Sequence, residues 1–106
     1  AVKLVDDPET ARLASTASLW EMAIKIGLGK LALRYGRLSQ FIPILRANQI
    51  ELLPILPDDA LAVADLPIGE HKDPFDRIIA AQCLRLDLTL VSVDKVFDDY
   101  GVRRVW

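Results

Sequence analysis

The stretch His71-Lys72-Asp73-Pro74-Phe75-Asp76-Arg77-Ile78-Ile79-Ala80-Ala81 carries the strongest local signal in the chain. Asp73 has the side chain of a helix N-cap, able to accept orphan backbone N–H groups. Pro74 suits the first helical position, because it has no N–H to leave unsatisfied. Asp76 then falls in the first turn, where the positive end of the helix dipole favours a carboxylate. A strand-like run over 88–93 follows and ends on Asp94. Helix starts and strand ends are the places where open α/β sheets gather their chemistry.

Outward from that stretch, helices and strands alternate. Residues 10–15 suit a short strand. Ser18-Leu19-Trp20-Glu21 has the Ser-x-x-Glu spacing of a capping box, with Leu19, Met22, Ala23 and Ile26 recurring at helical intervals. Gly27 and Gly29 weaken the end of that helix. A second helix is expected over 38–48, with Pro43 tolerated only in its first turn. Residues 49–53 read as a short buried strand stopped by Pro54, and 58–66 as a helix begun by Pro57-Asp58. The helix 73–86, the strand 88–93, a helical turn through Tyr100 and a last strand over 102–106 complete the pattern. Alternating strands and helices predict a single α/β domain, a parallel sheet with helices on both faces. Residues 1–7 run into the turn Asp6-Asp7-Pro8-Glu9, and fit a helix tail as well as a short strand.

The totals narrow the function. The chain has 106 residues, 52% of them hydrophobic, and a formal net charge of −2. That is one domain with enough apolar content for a core, and no apolar run approaches the roughly 20 residues of a membrane span. The single cysteine, Cys83, lies in a helical pattern as a small buried hydrophobe, and the chain fits a reducing cytoplasm. A charge so slightly negative neither supports nor excludes a nucleic-acid partner, which here must be held by a local patch or by metal ions.

Three acidic residues occupy one kind of position. Glu21 starts a helix after a strand, Asp76 starts another, and Asp94 ends a strand, so in a parallel sheet all three face the carboxyl edge. Gathered carboxylates repel one another unless a hard divalent cation sits between them. Such a cation lowers the pKa of bound water and offsets charge on a phosphodiester in the transition state. Each residue also has an ordinary reading: Glu21 completes its capping box, Asp76 complements a dipole, Asp94 caps the next turn. His71 has no second His or suitable Cys with which to share zinc. Gly27-Leu28-Gly29-Lys30 ends a helix and so does not open a phosphate loop. Lys25, Lys30, Arg34 and Arg37 form a basic run that suits a solvated face or a phosphate contact.

Ser15-Thr16-Ala17-Ser18-Leu19-Trp20-Glu21-Met22-Ala23-Ile24-Lys25, then Gly29-Lys30-Leu31, then His71 to Arg77, closely resemble PIN-domain ribonucleases, specifically VapC-type toxins of toxin–antitoxin pairs. Thr89-Leu90-Val91-Ser92-Val93-Asp94, with Phe97 and Tyr100-Gly101-Val102, extends the likeness through Trp106. The resemblance implies a Mg²⁺- or Mn²⁺-dependent endoribonuclease, acting on RNA, silenced by a cognate antitoxin, and homodimeric. It assigns catalytic and metal-holding roles to Glu21, Asp76 and Asp94, and a supporting role to Ser92, which would orient a carboxylate or water. Lys25, Lys30 and Arg77 are the candidates for RNA phosphate contact.

One departure stands out. The family opens with a central strand ending in an Asp, and nothing here matches it; Asp6 is the only early acidic candidate and sits too close to Glu21. The resemblance therefore implies an N-terminally truncated chain, with residues 1–7 corresponding to the end of a helix. The central slot would then be left as a gap or filled by a neighbouring segment. Two other readings stay open: a non-catalytic remnant that keeps antitoxin binding or self-association, and another metal-dependent phosphohydrolase on a similar sheet.

Overall fold

A computed structural model of the chain describes residues 4–6, 12–32, 37–67, 72–92 and 94–105. Five strands form one sheet: β1 (Leu4–Asp6), β2 (Arg12–Ser15), β3 (Ile50–Leu53), β4 (Thr89–Val91) and β5 (Arg104–Val105), in the order β3-β2-β1-β4-β5. Four α-helices accompany it: α1 (Thr16–Gly27), α2 (Phe41–Ala47), α3 (Pro57–Ala62) and α4 (Pro74–Leu86). Short 3-10 segments lie at Leu38–Gln40, Val63–Asp65 and Lys95–Tyr100. The expected α/β architecture is present. Pro43 falls in the first turn of α2, where its missing N–H costs no helical bond.

The central strand is the main departure. Residues 4–6 form neither a helix end nor a gap; they occupy the middle of the sheet as β1. The strand pairs antiparallel with β2 on one side and β4 on the other, while β2–β3 and β4–β5 are parallel. Connection length explains the reversed direction. Only residues 7–11 separate β1 from β2, and a parallel crossover needs a dozen residues or more, so a strand this close can join only as a hairpin arm. Filling the slot gives the facing edges of β2 and β4 backbone partners that buried strands require.

The core lies on one face of the sheet. Ile79, Ala80, Ala81 and Cys83 of α4 pack with Leu88, Leu90, Phe97, Tyr100 and Val102, joined by Ala17 of α1. Leu13 and Leu53 pack against the same cluster, whereas their strand neighbours Ile50 and Leu52 point to the other face. There they line a recess with Ile42 and Leu45 of α2, so helices cover both faces. Phe97 is fully buried, a contribution of about 1.5–3 kcal/mol to stability.

Candidate active site

The carboxyl ends of β2 and β4 lie flush. Ala14 pairs with Leu4, and Leu4 pairs with Val91, so Ser15 and Ser92 leave the sheet at the same level. The chain turns from Ser15 directly into α1, and it enters β4 from α4. Both helices therefore run antiparallel to their strands and begin at this edge.

Ser15 is the N-cap of α1, not Ser18. Its Oγ accepts the Ala17 N–H at 3.1 Å and donates to Gln82 Oε1 at 2.6 Å. Ser18 is buried inside the first turn. The shift matters for Glu21: it falls in the second turn of the helix and completes no capping box. Its carboxylate instead lies 3.5 Å from Lys25 Nζ, a helical i,i+4 pair, with the Glu21 side chain mostly shielded from solvent.

The start of α4 matches expectation. Asp73 Oδ1 accepts the N–H groups of Phe75 (2.9 Å) and Asp76 (3.1 Å), and Pro74 occupies the first helical position. Asp76 is buried, at 6% relative exposure. Trp20 and Phe75, each one residue before a candidate carboxylate, meet edge-to-face with centroids 4.9 Å apart. That contact brings the Glu21 and Asp76 segments together. Arg77 lies over the Tyr100 ring, 5.7 Å from its centroid.

Asp94 caps the 3-10 segment Lys95–Tyr100, its Oδ1 accepting the Val96 N–H at 3.1 Å. Ser92 Oγ accepts the Asp94 N–H, also at 3.1 Å, so its hydroxyl fixes the turn backbone. Arg104 of β5 frames this turn. It forks onto both oxygens of Asp98 (2.9 and 3.0 Å) and donates from Nη1 to the Ser92 carbonyl at 3.1 Å. The Arg104 guanidinium holds the Asp98 carboxyl below its usual range.

Glu21, Asp76 and Asp94 thus stand on segments that share one edge. Their all-oxygen donor chemistry suits a hard cation. Their geometry does not complete a site: among the described residues no three His, Cys, Asp or Glu side chains come together as a group able to hold a metal ion. Glu21 is drawn to Lys25, and Asp94 to the Val96 N–H. The direction of β1 bears on this too. Asp6 pairs with Arg12 and Thr89, the first residues of β2 and β4, so its backbone lies at the edge opposite Ser15 and Ser92. A central strand run parallel to its neighbours would end at the carboxyl edge; the reversed one ends away from it.

The predicted cations separate. Arg77 is at the edge, in the first turn of α4. Lys30 follows the end of α1, roughly 20 Å along the helix axis from Ser15 at 1.5 Å per residue, its N–H donating to the Lys25 carbonyl. Gly29 is left-handed at φ +72°, confirming that the Gly-Leu-Gly-Lys stretch closes a helix. His71 and Arg34 lie outside the described residues.

Behind the edge is a buried polar network that the sequence analysis missed. Gln82 takes the Ser15 hydroxyl on Oε1, and its Nε2 donates to the Pro54 carbonyl (3.1 Å) and to Asp59 Oδ2 (3.4 Å). Asp59, fully buried, also accepts the Leu56 N–H at 2.8 Å and pairs with Arg85 Nε at 2.5 Å. Burial pushes the Asp59 carboxyl up, but hydrogen bonds from Arg85, the Leu56 N–H and Gln82 outweigh it and hold the group below its usual value. Among the described residues no buried side-chain polar atom lacks a partner. The signal available in sequence was Asp59 three residues after Leu56, the third helical position where a carboxylate reaches back to the cap N–H.

The family model of the PIN domain matches residues 1–102. The chain belongs to the PIN-domain family. No curated protein matches it closely enough to add a relative. The PIN domain is generally a nuclease fold; its members are typically nucleases that use divalent metal ions and bind RNA. Among the described residues no helix of this PIN domain is long and apolar enough to cross a membrane.

Proposed function

We propose that this PIN domain is an endoribonuclease of the VapC toxin type, dependent on Mg²⁺ or Mn²⁺ and silenced by a small antitoxin protein, with a homodimer as its working form. Glu21, Asp76 and Asp94 are the carboxylates assigned to the cation, which in such enzymes supplies an activated water and charge neutralisation at phosphorus. The observation that carries this reading is the family match over residues 1–102, together with three acidic side chains on segments that start or end at one sheet edge. Asp76 is the central assignment, because it is buried in the first turn of α4 at the sheet edge, where the positive end of the helix dipole attracts negative charge. Ser92 supports the Asp94 turn, and Arg77 is the cation best placed to meet phosphate; Lys25 and Lys30 are secondary. The test is cleavage of a mixed-sequence RNA with Mg²⁺ or Mn²⁺ against EDTA, for the chain and for Asp76→Asn. At least a hundredfold loss in the variant is expected, and unchanged cleavage removes the assignment.

A second reading has its own support. The described residues offer no three-ligand group, and Asp6 is at the wrong edge to add a further carboxylate. In this reading the chain is catalytically silent and keeps only self-association or antitoxin binding. Titration with Mn²⁺, read by its electron paramagnetic resonance, separates the two. Stoichiometric binding lost in Asp76→Asn favours the nuclease; no ordered binding by a chain that still self-associates in light scattering favours the silent form.

A further inference from the structure

The buried network behind the edge has a directionality that none of the assigned roles uses. Gln82 and Ser15 are both fully buried, and Gln82 is the hub. Its Nε2 faces two acceptors, the Pro54 carbonyl at 3.1 Å and Asp59 Oδ2 at 3.4 Å. Only one orientation of the amide fits, because the reverse would set Oε1 against both oxygens. With Oε1 turned to Ser15, the hydroxyl must donate, and its lone pairs are left for the Ala17 N–H. The bonds therefore run one way: Ala17 N–H to Ser15, Ser15 O–H to Gln82, Gln82 N–H to Asp59, whose charge Arg85 favours. Donors aligned head to tail on a charged acceptor strengthen one another, and a fully satisfied buried chain of this kind specifies one arrangement.

We propose that Gln82 is a positioning residue for the carboxylate edge: by holding the Ser15 hydroxyl it sets where α1, and with it Glu21, stands against Asp76 of α4. The inference rests on the nuclease reading, in which these two carboxylates serve one cation. Glu21 lies six residues after Ser15 and Asp76 six residues before Gln82, so the Ser15–Gln82 bond is the common origin of both. Six residues are about 9 Å of helix, so a tilt of α1 by about 6° at Ser15 moves Glu21 by about 1 Å, enough to spoil a shared geometry. The other tie between these helices, Trp20 against Phe75, is softer. Trp20 is 55% exposed, and centroid separations of about 4.5–7 Å all satisfy such a ring pair. The chemistry required at position 82 is specific: an acceptor toward Ser15 and a donor toward Pro54 and Asp59, on one planar group. An ionised glutamate has no donor and would face the Asp59 charge, and methionine, of similar length, has neither group.

The test reads ion binding apart from stability. Mn²⁺ is titrated into the chain, Gln82→Met, Ser15→Ala, the double variant and Leu88→Ala, with free Mn²⁺ followed by electron paramagnetic resonance and folding by circular dichroism. Leu88 is a core residue just before β4, at the edge away from Ser15, so its truncation loosens the fold but removes no partner from the network. Expected is Mn²⁺ binding about tenfold weaker in Gln82→Met and in Ser15→Ala, with the double variant no weaker than either, since both break the same bond. Leu88→Ala should bind as the unaltered chain does. Unchanged affinity in folded Gln82→Met or folded Ser15→Ala overturns the positioning role, and so does an equal loss in Leu88→Ala. Ser15→Ala removes a single oxygen and decides the matter should Gln82→Met fail to fold. All these outcomes leave the nuclease reading in place while the unaltered chain binds Mn²⁺ and Asp76→Asn does not. No binding by the unaltered, folded chain removes both.

Discussion

Replacing Asp59 by Ala probes how much the buried network behind the edge contributes to folding. The carboxylate is fully buried, and its loss removes three interactions of unequal weight. The Leu56 N–H at 2.8 Å is a helix-capping bond, worth about 1 kcal/mol. The bond from Arg85 is charge-assisted, in a class worth about 1.5–3 kcal/mol; the lower end applies because the Arg85 side chain stays 27% exposed and regains water. The Gln82 contact is long at 3.4 Å, and Gln82 keeps its bonds to Pro54 and Ser15, so it adds little. The sum is about 3 kcal/mol, a sizeable share of the 5–15 kcal/mol typical of a whole domain, and corresponds to a fall in Tm on the order of 15 °C. Urea unfolding followed by circular dichroism at pH 7 measures it. The pH dependence is a second reading of the same bond. The folded carboxyl titrates below its unfolded value of about 3.9, so its stabilisation is complete above that value and fades as pH falls through the folded one. The gap between the chain and Asp59→Ala should therefore narrow in strong acid. A loss under about 1 kcal/mol at pH 7 with unchanged denaturant slope would refute the reasoning, as would a gap that widens on acidification.

Two further outcomes follow from other contacts. Burial pushes the Cys83 thiol up to about 12, so at pH 8 the native chain should react with a thiol-specific disulfide reagent at least a hundredfold more slowly than the urea-unfolded chain; stoichiometric labelling of the native chain within minutes would contradict this. Arg104→Met removes the fork onto Asp98 and the bond to the Ser92 carbonyl, so amide exchange at Val96 and Phe97 should rise about tenfold with little change in Tm; unaltered exchange there would show that Asp94 holds the turn without help.

Much of this was legible in the residues, and the misses have physical causes. Asp73-Pro74 fixed the start of α4 because cap and proline signals are local and act together. The expected start of α1 was three residues late, since Ser15 and Ser18 both have capping side chains and only the end of β2 selects between them. The direction of the central strand was not legible at all. Residues 4–6 are apolar enough for a strand in either sense, and the partner β4 lies more than 80 residues away in sequence. Gln82, Arg85 and Asp59 were missed because polar side chains on helices ordinarily face water, and nothing in spacing shows that α3 and α4 press theirs together. At the edge, the residues show Glu21 and Asp76 near helix starts and Asp94 after a strand, but not that Glu21 falls in the second turn of α1, nor where each carboxylate turns.

The three-residue strand at the middle of the sheet has a mechanical consequence. β3 and β2 form one ladder, β4 and β5 another, and in the strand order these two ladders meet only through β1. One seam of β1 closes locally, across a hairpin, and can zip early. The other joins the two ends of the chain and must wait for almost everything between them to be in place, the kind of long-range closure that slows folding. The seam between β1 and β4 is therefore slow to knit, and within the sheet those three residues alone span the gap between the strand that ends at Ser15 and the strand that leads to Ser92.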